Sequence, residues 1–189
     1  MNMATEKPLN FLGISGSLRK QSYNTAALRA AQQLLPPGVT LEICDIADIP
    51  LYNDDVREEG YPAPVERFRA RIAAADAVLI VTPEYNYSVP GVLKNAIDWA
   101  SRPPSQPFDG KPVAIMGASP GILGTARAQY HLRQSFIFMN AMVLNKPEVM
   151  IGGAATRFDA AGNLTDAKTG EFIKALLVSL AEWTRRLQR

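Results

Sequence analysis

Between an apolar run and a helical stretch, the chain places Ser15-Gly16-Ser17-Leu18-Arg19-Lys20-Gln21-Ser22-Tyr23-Asn24, which gathers hydroxyls, an amide and a guanidinium into one turn. The preceding Leu9-Asn10-Phe11-Leu12-Gly13-Ile14 reads as a strand and the following residues as a helix, so the turn opens a helix. Free N–H groups and the positive end of the helix dipole favour an anion at such a place. Ser15, Ser17, Ser22, Asn24 and Arg19 can converge there on one phosphate, with Gly13 and Gly16 expected to permit tight backbone turns. The spacing is not Gly-x-Gly-x-x-Gly, and it lacks the Gly-Lys-Ser/Thr ending of a nucleotide-triphosphate loop. Hydroxyl and arginine contacts in place of a glycine-only cradle suit a terminal monophosphate better than a pyrophosphate. The competing interpretation is an ordinary strand-to-helix turn capped by Ser and Asn; a cap needs one such residue, and five polar groups crowd this turn.

Two further loops carry ligand-type residues. Thr82-Pro83-Glu84-Tyr85-Asn86-Tyr87-Ser88-Val89-Pro90-Gly91 mixes aromatic faces, rigid backbone and amide groups. Such a loop suits a planar heterocycle, stacking on it and presenting peptide groups to its polar edge; alternatively it is a rigid turn whose tyrosines pack locally. Gly117-Ala118-Ser119-Pro120-Gly121-Ile122-Leu123-Gly124-Thr125 is rich in small residues, as expected where backbone approaches a flat ligand closely, while Ser119 reads equally well as a turn residue. Glu84 invites an acid–base role, but a structural carboxylate is the simpler reading. The chain has one cysteine, Cys44, and one histidine, His131, so no disulfide framework, Cys/His zinc site or neighbouring Cys–His pair can be built, and no metal is expected. Cys44 ends a predicted strand, where it reads as a small buried hydrophobe.

The elements that must position these loops alternate between strand and helix patterns. Strands are expected over 9–15, Val39–Cys44, Ala77–Val81 and Pro112–Met116, with a last one around Pro147 within Val143–Ile151. Helical faces fall on Ala27, Ala31, Leu34 and Leu35, on Val65–Ala75, on Leu93, Ala96, Ile97 and Ala100, on Ala126–Met139, and on Phe172, Leu176, Leu180, Trp183 and Leu187. Asp45–Pro64 is a long polar excursion, of the kind that is often functional. This alternation predicts an α/β fold: a doubly wound five-stranded parallel sheet, strand order 2-1-3-4-5, with helices on both faces. In that order the first, third and fourth strands are neighbours around the point where winding reverses, and ligands bind beyond their carboxyl ends. The three unusual loops follow those three strands.

A chain of 189 residues makes a single domain, 1–189, with residues 1–7 expected as a flexible tail. A net charge of +2 is too mild to argue for nucleic acid or an anionic membrane. No apolar stretch reaches bilayer length and the first residues lack the apolar core of a signal peptide, so the expected compartment is the cytoplasm.

Together Gly13 to Asn24, Thr82 to Trp99 and Gly117 to Gly121 resemble the NADPH-dependent FMN reductase family, and within it the bacterial quinone and chromate reductase branch. The resemblance covers nearly the whole chain, including Pro50-Leu51-Tyr52-Asn53. It implies a flavodoxin-like fold, bound FMN, reduction by NADPH or NADH, quinone acceptors with azo dyes, free flavin or chromate beside them, and homodimers or homotetramers. By the same resemblance Ser15, Ser17, Leu18, Arg19, Ser22 and Asn24 hold the FMN phosphate, and Pro83, Glu84, Tyr85, Asn86 and Tyr87 with Ser119, Pro120 and Gly121 hold the ring. No side chain is required as a catalyst, since the flavin carries the electrons. A reductant and an acceptor using one ring face in turn would give a ping-pong cycle. On the helix after the third loop, Arg127, Tyr130, His131, Gln134 and Phe138 lie off the core stripe of Ala128, Leu132, Phe136 and Met139, more polar and aromatic than a solvated face needs. With Tyr87 nearby, that face is expected to meet a second copy, and the resemblance suggests Arg127 pairing with Glu148 across the boundary; the alternative is ordinary surface groups with partners in the same chain. Two other functions remain open at this point. An electron-carrier flavodoxin would be strongly acidic, whereas this chain is slightly basic, and a pyrophosphate-binding dehydrogenase would need the missing Gly-x-Gly-x-x-Gly.

Overall fold

In the computed structural model, which describes residues 7–189, the chain runs β1 (Leu9–Ser15), α1 (Tyr23–Gln33), β2 (Val39–Cys44), α2 (Asp54–Glu59), α3 (Ala63–Ala74), β3 (Ala77–Val81), α4 (Gly91–Ala100), β4 (Pro112–Ala118), α5 (Ala126–Phe138), β5 (Met142–Val143), β6 (Val149–Ile151) and α6 (Ala167–Leu187). The tail expected over 1–7 lies, apart from Lys7, outside the described residues. All strand pairings are parallel, and the order is β2-β1-β3-β4-β5 with β6 also beside β4. This is the flavodoxin-like arrangement.

Alternation along the strands sorts side chains onto two faces. Leu9 and Phe11 of β1, Leu79 and Val81 of β3, and Ala114 and Met116 of β4 join a core completed by α1 and by Ile173, Leu176, Leu177 and Leu180 of α6. Leu12 and Ile14, Val78 and Ile80, and Val113 and Ile115 join the opposite core under Phe68 and Ile72 of α3, Leu93 and Ile97 of α4, and Leu132 and Phe136 of α5. Every residue of β3 is buried, which explains its uninterrupted apolar run.

The last strand differs from the expected continuous one. β5 pairs with Pro112 and Val113, and β6 pairs with Met116 to Ala118. The residues between include Pro147, which has no N–H to give to a ladder. The Asp45–Pro64 excursion also holds more structure than expected: Asn53 caps the short helix α2, and the segment docks on α4. There Asn95 accepts from the Tyr52 N–H and donates to the Pro50 carbonyl, Trp99 Nε1 donates to the same carbonyl, and the Tyr52 and Tyr61 rings meet Trp99 edge-on. Gly13 is a second correction. It lies within β1 rather than at a turn, and a Cβ there would sit 2.7 Å from Leu28 Cδ1, so the missing side chain admits α1 against the sheet. No helix among the described residues is long and apolar enough to cross a membrane.

Candidate functional site

The loops after β1, β3 and β4 meet at the carboxyl edge of the sheet through identifiable contacts. Loop one touches loop two where the Gly16 N–H donates to the Val81 carbonyl at 2.8 Å; a Cβ on Gly16 would lie 3.2 Å from Thr82 Oγ1 and 3.3 Å from Pro83 Cδ. Loop two touches loop three at Gly117, where a Cβ would stand 2.0 Å from Thr125 Oγ1 and 2.2 Å from the Thr82 carbonyl oxygen. Only glycine permits that approach. Loop one touches loop three through Asn24, whose Nδ2 donates to the Ala118 carbonyl at 2.9 Å while its Oδ1 accepts the Ala118 N–H at 2.8 Å.

These contacts separate the predicted phosphate-side residues into two groups. Ser22 is the N-cap of α1: its extended backbone and buried side chain let Oγ accept from the Asn24 and Thr25 N–H groups. Ser15 Oγ lies 2.8 Å from Thr25 Oγ1 at the base of the turn. The buried Asn24 amide is engaged at both ends by Ala118 and so ties loop one to loop three, with its second Nδ2–H the part left for an anion. Leu18 and Arg19, by contrast, are exposed at the tip with Ser17 half-buried beside them, and Arg19 has no ion-pair partner among the described residues. The N–H groups of Leu18 and Tyr23 likewise meet no acceptor there. Alongside is a cavity of about 200 Å³ whose lining includes Arg19, Lys20, Arg29 and Asp159. Asn163 engages the Asp159 carboxylate through its N–H and its Nδ2, leaving a cationic excess at the mouth.

In the second loop, Tyr85 and Ser88 exchange two backbone hydrogen bonds of 3.1 and 3.0 Å across Asn86 and Tyr87, which have φ of 50° and 66°. Two successive non-glycine residues in the left-handed region form a strained turn of type I′ character, and such strain gathers at ligand-holding sites. The turn is held from outside. Glu84, with its side chain 6% exposed, accepts the Arg127 N–H at 3.0 Å and the Ala128 N–H at 3.1 Å through Oε2, and pairs with the Arg127 guanidinium through Oε1. Arg127 Cζ lies 3.6 Å from the Tyr87 ring centroid, and Ser88 Oγ is 3.0 Å from His131 Nδ1. Burial alone would raise the Glu84 carboxyl above its ordinary value, but the Arg127 guanidinium and the two helix N–H groups outweigh it and hold the group below that value. Glu84 is therefore an anion engaged within the scaffold.

Within the chain Arg127 pairs with Glu84, and Glu148 accepts from Tyr130 Oη at 3.5 Å; the Arg127–Glu148 pairing expected across a subunit boundary is a contact between two chains. Ser119 Oγ donates to the Gly124 carbonyl and so closes the third loop on itself, with Pro120 and Gly121 exposed above it. The N–H groups of Asn86, Tyr87 and Gly121 find no acceptor among the described residues. Thus unpaired cationic and N–H donors stand at one end of the loop cluster, and exposed tyrosines with unpaired peptide donors stand at the other. That donor set fits a ligand with a terminal phosphate and a planar polar ring. Sequence reasoning missed the Thr82–Gly117–Thr125 junction, the capping of α5 by Glu84 and the Ser88–His131 contact, because each joins positions distant in sequence. Cys44, buried at the end of β2 with its thiol pushed up by burial, plays the packing role expected of it.

Residues 9–156 match the family described as NADPH-dependent FMN reductase. A Pseudomonas aeruginosa protein named NAD(P)H-dependent FMN reductase is 62% identical over 180 residues, covering 95% of this chain and 97% of its own. An Escherichia coli quinone reductase is 48% identical over 183 residues, covering 95% and 97%. Among solved structures, a flavoenzyme NAD(P)H:(acceptor) oxidoreductase from Paracoccus denitrificans superposes with a TM-score of 0.86 at 38% identity, covering 94% of this chain and 98% of the other.

Proposed function

The chain belongs to the NADPH-dependent FMN reductase family, and from that premise we propose that it is an NAD(P)H-dependent quinone reductase whose FMN lies across the three loops. The observation that carries this reading is the row of unpaired donors from Leu18 and Arg19 through Asn86 and Tyr87 to Gly121. Ser17, Leu18 and Arg19 bind the FMN phosphate at the N-terminus of α1, with Ser15 and Ser22 shaping the turn beneath it. Pro83 to Tyr87 and Ser119 to Gly121 border the ring, and their peptide N–H groups stabilise negative charge at its pyrimidine edge. Bound FMN supplies hydride acceptance from the nicotinamide and two-electron transfer to the acceptor. The chain contributes position: the strained 85–88 turn is fixed before the ligand arrives, and Tyr85 and Tyr87, both exposed, offer aromatic faces to a flat acceptor.

Reductant and acceptor use one open ring face in turn, so the kinetics are ping-pong, with azo dyes, free flavin and chromate as secondary acceptors and the cytoplasm as the compartment. Tyr130, Ile137 and Phe138 of α5 are exposed on one side of the helix, and Ile122 of loop three is exposed as well, Ile122 being 93% and Phe138 78% exposed. Exposed apolar groups of this kind support a homodimer or homotetramer that buries them together with Tyr87, Arg127 and Glu148. The chain 1–189 serves as one FMN-binding domain. Heat-released cofactor should chromatograph as FMN, and double-reciprocal plots with NADPH and a small quinone varied should be parallel. Release of FAD, failure to bind added FMN, or NADPH oxidation only with a partner protein would overturn this reading.

A further inference from the structure

The Glu84 carboxylate takes part in no step derived above, although Glu84 belongs to the ring loop and its carboxylate is directed at α5. It faces two positive features at once. One is the N-terminus of α5, whose first N–H groups have no side-chain cap of their own, since Thr125 makes no capping bond. The other is the Arg127 guanidinium, which lies against the Tyr87 ring and has no other ion-pair partner among the described residues. A helix end carries roughly half a positive charge. With Glu84 ionised the net charge under the loop is therefore about +0.5, and without it about +1.5. The remaining group facing the loop from α5 is His131, which contacts Ser88 Oγ.

We propose that Glu84 is a positioning residue that masks the positive charge of Arg127 and of the α5 N-terminus, and thereby sets the reduction potential of FMN held by loop two. The inference rests on the FMN reading above and deepens it. A reduced flavin carries more negative charge than an oxidised one, so an unmasked cation beside it favours reduction. The Glu84 side chain is only 6% exposed, so salt and water screen its charge less than at an open surface, while the Arg127 side chain is about a third exposed.

The test compares FMN-loaded wild type, Glu84→Gln, Arg127→Gln and the double variant, each equilibrated anaerobically with a reference dye while the flavin absorbance is read. Glutamine retains an acceptor for the Arg127 and Ala128 N–H groups while losing the charge. Glu84→Gln should shift the oxidised-to-reduced equilibrium toward reduced flavin on the order of tenfold, ~30 mV more positive for a two-electron couple. Arg127→Gln should move it the other way, and the double variant should return near wild type. Melting of the FMN-free proteins, followed in parallel, reports any purely structural effect. Equal potentials in all four loaded proteins, with loss confined to melting temperature or FMN affinity, would show that Glu84 is only a helix cap. Should Glu84→Gln fail to fold, an unshifted Arg127→Gln potential overturns the proposal by itself. A wild type that binds no FMN defeats the FMN reading and this inference together, whereas equal potentials defeat this inference alone.

Discussion

Replacing Asn24 by alanine separates a ligand from a scaffold more sharply than any other single change in the site. The Asn24 amide lies beyond the Val81–Met116 pair, where β3 no longer accompanies β4, and takes the position of a neighbouring strand for Ala118. Alanine would leave a buried N–H and a buried carbonyl without partners, at about 1–3 kcal/mol each, or about 2–6 kcal/mol together. Set against a total stability of about 5–15 kcal/mol for a domain of ordinary size, that is a large fraction. At about 2–4 °C per kcal/mol for a chain of this length, the melting temperature of the FMN-free protein should fall on the order of 10 °C. Urea unfolding of the FMN-free protein, followed by the fluorescence of Trp99 and Trp183, measures the loss without a ligand contribution. FMN affinity should fall as well, because loops one and three lose the bond that holds them in register. The reasoning fails if Asn24→Ala keeps wild-type stability within about 0.5 kcal/mol while FMN affinity collapses, since the amide would then be a phosphate ligand and not a tie.

Arg19→Ala should behave in the opposite way: an exposed guanidinium bound to phosphate contributes roughly 1.5–3 kcal/mol, so FMN binding should weaken about tenfold to a hundredfold with folding intact. A fluorescence titration with unchanged affinity would place Arg19 outside the site. Acid should act through Glu84, whose carboxyl is held below its ordinary value of 4.5, so its contribution to stability is complete above that value and fades as pH falls through the lower folded-state value. The stability gap between wild type and Glu84→Gln should accordingly shrink as pH falls below 4.5. Urea midpoints that keep a constant gap below that value would show that the carboxylate gains nothing from its partners.

Local periodicity and turn chemistry carry much of this molecule. The apolar run of β3, Pro90 at the start of α4, the crowded Ser15-to-Asn24 turn and the aromatic 85–87 loop are legible as text, because each is a pattern within a dozen residues. The resemblance in those same loops named the family that residues 9–156 match. The division of labour inside the loops is not legible. Asn24 and Arg19 look equally suited to a phosphate in sequence, yet one is buried against Ala118, 94 residues away, and the other stands exposed at the tip. Gly13 reads as a turn glycine and Gly117 as part of a loop open to a flat ligand, whereas tertiary contact makes one a seat for Leu28 and the other the point where Thr82 and Thr125 close on the backbone. Glu84 and Arg127, 43 residues apart, meet only because parallel winding brings the ends of β3 and β4 side by side. A hydrogen-bonding group is identified by its type, but its partner is chosen by whatever the folded chain brings within about 3 Å, and for these residues that choice was made by the sheet.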